Sequence, residues 1–305
     1  MTRPEKVGVI GLGVMGSRMA TNLIKSGYQT IVFNRSPQRA RDLEGIGAVI
    51  ASSPEDVAMR CRTVILSLPT TEAVREVVLG KQGLVTALSK GSAVIDTSTT
   101  DPDLPLELSQ ELLKRGCYFL DAPVSGGPQG AQEGTLTVMV GGDSGALRQS
   151  VPILQAIGKS VVHVGPSGFG QKMKLFNQAL VAVYFGAVSE AYVWARRMEL
   201  DPDEILEVVS KSWGDSPVFR HFISVVVSRD YSDGAAVRLY LKDIALVLKD
   251  AERRGCPMSL LQGTAKLFAR ASEEGHGNDD SSILSQVLSG DQSEVNQAKK
   301  NQSHS

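Results

Sequence analysis

Short apolar runs and longer amphipathic stretches alternate along the first 165 residues. Val7–Ile10 (VGVI), Thr30–Phe33 (TIVF), Thr63–Leu68 (TVILSL) and Ala93–Asp96 (AVID) have the length and composition of strands buried on both faces. Between them, Met15–Ser26, Pro54–Arg60, Thr71–Leu79 and Pro102–Arg115 carry the spacing of helices. That alternation predicts βαβ units and a parallel sheet covered on both faces. Three more strands are expected at Tyr118–Val124, Leu136–Gly142 and Ser160–Gly165, with a helix at Leu147–Ile157 before the last.

After Gly165 the pattern changes. From Ser167 to about Leu288 only helical spacing is found, punctuated by D-P, S-P and C-P pairs. The longest helix is expected at about 170–198. It is apolar on nearly every face, which predicts burial between two domains or between subunits. Asn177, Gln178, Ser189 and Glu190 interrupt its apolar run, and an ionised carboxylate in hydrocarbon is costly, so a membrane span is not expected. The organisation is therefore an α/β domain at 1–165 and an all-α domain at 166–290. Residues 291–305 are polar and aperiodic, and are expected to be a disordered tail.

Composition narrows the partners. The chain is 42% hydrophobic and 21% charged, with a formal net charge of −1. A near-neutral surface has no electrostatic drive toward phosphate backbones or anionic lipid, so neither nucleic acid nor membrane is an expected partner. Cys61, Cys117 and Cys256 are far apart, as are the histidines, so reduced thiols and no metal site are expected. The N-terminal residues lack the pattern of a signal peptide, and a cytoplasmic location is expected.

Gly11-Leu12-Gly13-Val14-Met15-Gly16 is a G-x-G-x-x-G motif set between a strand and a helix. The first glycine allows the turn, the second admits a pyrophosphate to the backbone, and the third lets helix and strand pack closely. The dinucleotide is then chosen at the end of the second strand. An NAD site places an acidic residue there for the ribose hydroxyls. Here Asn34-Arg35-Ser36 offers no negative charge, and the arginine can pair with a 2′-phosphate. NADP is expected, with NAD possible.

Asp121-Ala122-Pro123-Val124-Ser125-Gly126-Gly127 ends a strand. Ser125, Gly126 and Gly127 suit a substrate carboxylate through a hydroxyl and exposed N–H groups, and equally suit a loop that needs positive φ. Lys174, Asn177 and Gln178 fall on one face of the long helix at spacings of three and four. A buried ammonium is costly, and desolvation favours its neutral form, so Lys174 is the candidate to trade a proton with a substrate hydroxyl.

These segments, in this order, resemble the β-hydroxyacid dehydrogenase family (3-hydroxyisobutyrate dehydrogenase and its relatives) over about residues 6–288. The resemblance implies a Rossmann-type doubly wound domain followed by an all-helical domain, as in 6-phosphogluconate dehydrogenase. It also implies hydride transfer between a nicotinamide and a short hydroxyacid or semialdehyde. By position it makes Lys174 the catalytic lysine, and Ser125, Gly126 and Gly127 the substrate loop. Asn177 and Gln178 become substrate-side amides, although many members have a second asparagine in place of Gln178. Leu68, Pro69 and Thr99 become cofactor contacts, and Lys242 a cofactor contact from the second domain, its plain alternative being a surface lysine. A homodimer or homotetramer is implied as well. The alternatives are a non-catalytic scaffold on the same fold and an imine reductase, both of which the presence of Lys174 disfavours.

Overall fold

The computed structural model describes residues 5–232 and 234–290. The tail expected at 291–305 lies outside the described residues. The chain forms two compact units that divide between Leu175 and Phe176.

In the first unit the glycine motif joins β1 (Lys6–Ile10) to α1 (Val14–Lys25), followed by β2 (Gln29–Phe33). Next come α2 (Gln38–Glu44), β3 (Val49–Ile50), α3 (Pro54–Arg60), β4 (Thr63–Leu66), α4 (Thr71–Leu79), β5 (Ala93–Asp96), α5 (Leu104–Leu113) and β6 (Tyr118–Asp121). The sheet runs in the order β3-β2-β1-β4-β5-β6, every pair parallel. This is the doubly wound order whose ligands bind beyond the carboxyl ends of the strands.

The strands alternate between two cores, as burial on both faces requires. Val7, Val9, Ile65, Ile95 and Leu120 pack with Met19 and Leu23 of α1. Ile10, Val64, Leu66, Val94 and Phe119 pack with Val57, Val74 and Leu108 of α3, α4 and α5. At roughly 1.5–3 kcal/mol for each fully buried large aliphatic side chain, these two layers dominate the stability of the unit.

Beyond β6 the expectation of one long strand and a parallel sheet needs correcting. Tyr118–Val124 is broken into β6 and β7 (Val124–Ser125), because Pro123 has no N–H to give to the ladder. Gly127–Glu133, where no helix was anticipated, is the helix α6, which ends at Gly134 in the left-handed region (φ 69°). Then β8 (Thr137–Gly141) pairs antiparallel with both β6 and β7, and after α7 (Ser144–Gln155) β9 (Ser160–Gly165) pairs parallel with β8. The sheet is mixed, not purely parallel. The short elements α2 and β3 were also not anticipated.

The second unit is helical. It takes most of α8 (Phe169–Arg197), then α9 (Pro202–Val209), α10 (Pro217–Ser228), α11 (Val237–Arg253), α12 (Ser259–Ala271) and α13 (Leu284–Ser289). Phe185, Tyr240 and Phe268 meet at centroid distances of 5.5 and 5.6 Å, tying α8, α11 and α12 together. Buried Asp280 holds the segment before α13: its carboxylate accepts from His221 Nε2 (2.9 Å), the Ala235 N–H (2.8 Å) and the Ser282 N–H (2.8 Å).

Helix α8 is not covered all round. Phe169, Met173, Phe176, Leu180 and Tyr184 form a row along one side, each more than 40% exposed in the single chain. Among the described residues no helix is long and apolar enough to cross a membrane.

Candidate active site

The turn after β1 is built by what its glycines lack. A side chain on Gly11 (φ 91°) would run into the Ser67 carbonyl, and one on Gly16 into the Gly11 carbonyl. Those two glycines are required by the fold. Gly13 differs: a Cβ there would meet only Arg39 Nη1, at 3.8 Å. Gly13 is also the N-cap of α1 and supplies no side-chain cap to the N–H groups of the first turn. Such a turn suits an anion, with the positive end of the helix dipole behind it.

The neighbouring edge is held by Asn34. The Leu12 N–H donates to Asn34 Oδ1 (2.9 Å), and Asn34 Nδ2 donates to the Ser36 carbonyl (2.8 Å). Asn34 thus shapes the edge with its own side chain, while Arg35 and Ser36 are exposed. Arg39, which the sequence reading missed, brings a second guanidinium and donates to the Leu12 carbonyl (3.2 Å).

Three strand-end loops meet at the start of α8. After β5, the Ser98 N–H donates to Asp96 Oδ1 (3.0 Å), while the Leu68 N–H donates to Ser98 Oγ (2.9 Å). Leu68 and Thr99 are therefore fixed by the same serine's neighbourhood. Thr99 alone among residues 92–100 is not buried. After β6, fully buried Asp121 accepts from the N–H groups of Gly168 (2.8 Å) and Gln171 (3.0 Å). Burial raises its carboxyl to about 6, against the pull of those backbone donors. Lys174, three residues beyond Gln171, is only 7% exposed.

Ser125 is fixed by its register against Thr137, and is partly exposed. Gly126 (φ 131°) and Gly127 (φ 63°) follow, both exposed and both in conformations that favour glycine. Positive φ is therefore a real requirement of this loop, and the open space beside Gly127 leaves its backbone accessible as well.

In the second unit Gln178 is buried, and Asn177 Nδ2 donates to Gln178 Oε1 (3.2 Å). Gln178 Nε2 donates in turn to Asp243 Oδ2 (2.6 Å), and Lys242 Nζ pairs with Asp243 Oδ1 (2.9 Å). Asp243, buried on α11, is the centre of this group and was not singled out from the sequence. Its signal was a carboxylate at helical spacing with Ile244, Val247 and Ala251, on the apolar face of α11.

Residues 6–165 match the family model described as the NAD binding domain of 6-phosphogluconate dehydrogenase. Residues 168–288 match the model described as NAD-binding of NADP-dependent 3-hydroxyisobutyrate dehydrogenase. The chain is 32% identical to L-threonate dehydrogenase of Cupriavidus necator, over 94% of this chain and 97% of that protein. It is 34% identical to the mitochondrial 3-hydroxyisobutyrate dehydrogenase of Rattus norvegicus, over 94% and 88%.

The chain belongs to the β-hydroxyacid dehydrogenase family.

A solved family structure, 3-hydroxyisobutyrate dehydrogenase from Salmonella typhimurium, agrees in fold with a TM-score of 0.84 at 30% identity, covering 93% of this chain and 99% of that one. As a β-hydroxyacid dehydrogenase family member, the protein is an oxidoreductase with a nicotinamide-binding domain. The residues present fit that cofactor class. The open space at Gly13 suits a pyrophosphate, and half-buried Asn34 with exposed Arg35, Ser36 and Arg39 suits the adenosine end.

Proposed function

We propose that the protein is an NADP-linked dehydrogenase acting on a three- or four-carbon β-hydroxyacid or its semialdehyde, with Lys174 as general acid/base. The observation that carries this reading is the burial of Lys174 one turn into α8, beside the loop that bears Thr99. Burial eases the loss of a lysine's proton, and a substrate hydroxyl within its reach would lose or gain a proton as the carbon loses or gains hydride. The substrate class follows the relatives named for L-threonate and 3-hydroxyisobutyrate.

When bound, the nicotinamide supplies or accepts the hydride. The chain's own residues do the rest. Gly11 to Gly16 cradle the pyrophosphate, with Leu68, Pro69 and Thr99 as further cofactor contacts. Arg35 pairs with the 2′-phosphate, flanked by Asn34 and Ser36. Ser125, Gly126 and Gly127 bind the substrate carboxylate, which anchors the substrate for proton exchange with Lys174 Nζ. Asn177 and Gln178 are proposed substrate-side amides. Lys242, which is paired with Asp243, is a proposed cofactor contact.

The exposed apolar row on α8 supports a homodimer or homotetramer. A soluble cytoplasmic protein remains our reading of the sequence.

The test is a panel of short hydroxyacids and semialdehydes assayed with both nicotinamides, following absorbance of the reduced cofactor. Turnover of a C3–C4 member, with higher kcat/KM for NADP(H), is the expected result. No turnover of any member, or a preference for NAD(H), overturns the corresponding half of the proposal.

A further inference from the structure

Gln171 lies on the first turn of α8 with no exposed surface, and both ends of its carboxamide are hydrogen-bonded. Its Nε2 donates to the Ser98 carbonyl (2.8 Å), and its Oε1 accepts from the Thr100 N–H (3.0 Å). One carboxamide therefore brackets Thr99, fixing the backbone on both sides of the one residue in this stretch that is not buried. The orientation of the amide is not arbitrary. Ser98 presents only an acceptor and Thr100 only a donor, so a flipped amide would lose both bonds. Asparagine carries the same group on a shorter arm, and glutamate lacks the donor when ionised.

The main chain of the same residue is fixed from the other side. The Gln171 N–H goes to Asp121 Oδ2, while Asp121 Oδ1 takes the Gly168 N–H. That seating demands a close approach of helix to sheet: a Cβ on Gly170 would strike the Asp121 carbonyl, and one on Gly141 would lie 2.6 Å from Asp121 Oδ1. Residue 171 is thus where the loop after β5, the end of β6 and the first turn of α8 become one body. Lys174 follows at i+3, on the neighbouring position of the same helix face.

We propose that Gln171 is a positioning residue that locks Thr99 and Lys174 into a single register. The roles of those two residues rest on the function proposed above; the lock itself rests on the hydrogen bonds. Without it, α8 could turn or slide against the Thr99 loop while both elements stayed folded. Hydride and proton transfer tolerate little misplacement, and a shift of about 1 Å can cost on the order of 100-fold in rate.

The variant is Gln171→Met, of similar length and without donor or acceptor. Its kcat is expected to fall about 10- to 100-fold, while the dissociation constant for NADPH, read by fluorescence without substrate, changes only a few-fold. The primary deuterium isotope effect on kcat should rise as the hydride step becomes slower. A folded variant with wild-type kcat and isotope effect, and only a lowered melting temperature, would overturn the proposal by reducing Gln171 to a structural role. Amide hydrogen exchange on the wild-type protein tests the lock without any variant. The Thr100 and Gln171 amides should open together, with protection factors within about threefold. A Thr100 amide that exchanges more than about tenfold faster, while the first turn of α8 stays protected, overturns the lock. If the wild type transfers no hydride with either nicotinamide, the proposed function fails, and the exchange result still decides the lock.

Discussion

The turn after β1 and the start of α8 both lie at the carboxyl end of the sheet, yet they are made by opposite means. The turn is defined by missing side chains: Gly11 and Gly16 have no room for a Cβ, and Gly13 leaves its space open. The start of α8 is defined by polar side chains taken out of water, with Asp121 and Gln171 at 0% and Lys174 at 7% exposure. A backbone surface binds an anion without titrating, so it should work over a wide pH range. A buried polar cluster depends on which of its members carry protons, and so it suits chemistry. If that division is right, substitutions at the turn should act on cofactor affinity or on folding, and substitutions at α8 on kcat and pH dependence.

The largest effect should come at α8. Lys174→Ala is expected to lower kcat by about 10²–10⁴, with NADPH binding nearly intact. Lys174→Arg should rescue little, because a guanidinium stays protonated at any working pH. Steady-state rates beside a fluorescence titration decide the matter. A variant that kept its kcat but bound NADPH poorly would move Lys174 into the cofactor-binding region and erase the contrast.

Asp121 gives the second effect, in stability. Its folded carboxyl is raised from 3.8 to about 6 by burial, so between those values the folded state holds a proton that the unfolded state has lost. The resulting stabilisation is fully present below about 4 and is lost as pH rises through about 6. A shift of roughly two pH units corresponds to about 3 kcal/mol. Asp121→Asn removes the titration along with some hydrogen bonding. Relative to wild type, the variant should therefore gain on the order of 3 kcal/mol between pH 4 and pH 7. Urea unfolding at the two pH values measures this, and a pH-independent difference would show that the carboxyl does not titrate in this window.

The two regions also differ in how far they could be read from sequence. The strand, the glycine turn and α1 are contiguous, so hydrophobic period and glycine spacing exposed them together. Asp121 was visible as the first residue of a loop motif and Gln171 as one letter after G-F-G, but neither role was. Their partners are 47 to 73 residues away, and no local pattern records which backbone groups a buried amide will satisfy. The errors in the fold have the same origin. No helix was anticipated at Gly127–Glu133, because its glycines mask a helical turn whose Ala131 packs into the core. Helix α8, by contrast, was expected to be buried between two domains or between subunits; the single chain packs one of its faces and leaves the row from Phe169 to Tyr184 open. Lys174 was a candidate in the sequence because a lysine stands out on an apolar helix, and the structure adds that it is buried.

The third effect sharpens the turn itself. Gly16→Ala should destabilise the first unit by about 1–3 kcal/mol, since the new methyl meets the Gly11 carbonyl and the chain must shift. Gly13→Ala has room, so its melting temperature should stay close to wild type while NADPH binding weakens. Equal losses of stability in both variants would mean that the turn has no space set aside for a ligand.

The smallest effect concerns the two arginines beside the turn, and it separates cofactor choice from turn shape. Arg35 is exposed and its expected partner is the 2′-phosphate, found only on NADP(H). Losing a charge-assisted pair costs on the order of 1.5–3 kcal/mol when well formed, and less at an exposed site. Arg35→Ala should therefore weaken NADP(H) by about tenfold and leave NAD(H) nearly unchanged. Arg39 already donates to the Leu12 carbonyl inside the turn, so Arg39→Ala should loosen the cradle and weaken both cofactors alike. Titrating both variants with both reduced cofactors gives four numbers, and the proposal requires that only the Arg35 variant discriminate. Were Arg39 the discriminating residue, the 2′-phosphate would sit on α2 and Arg35 would be a solvated surface charge. Were neither to discriminate, the edge would carry no preference for NADP, and the backbone cradle alone would set cofactor affinity.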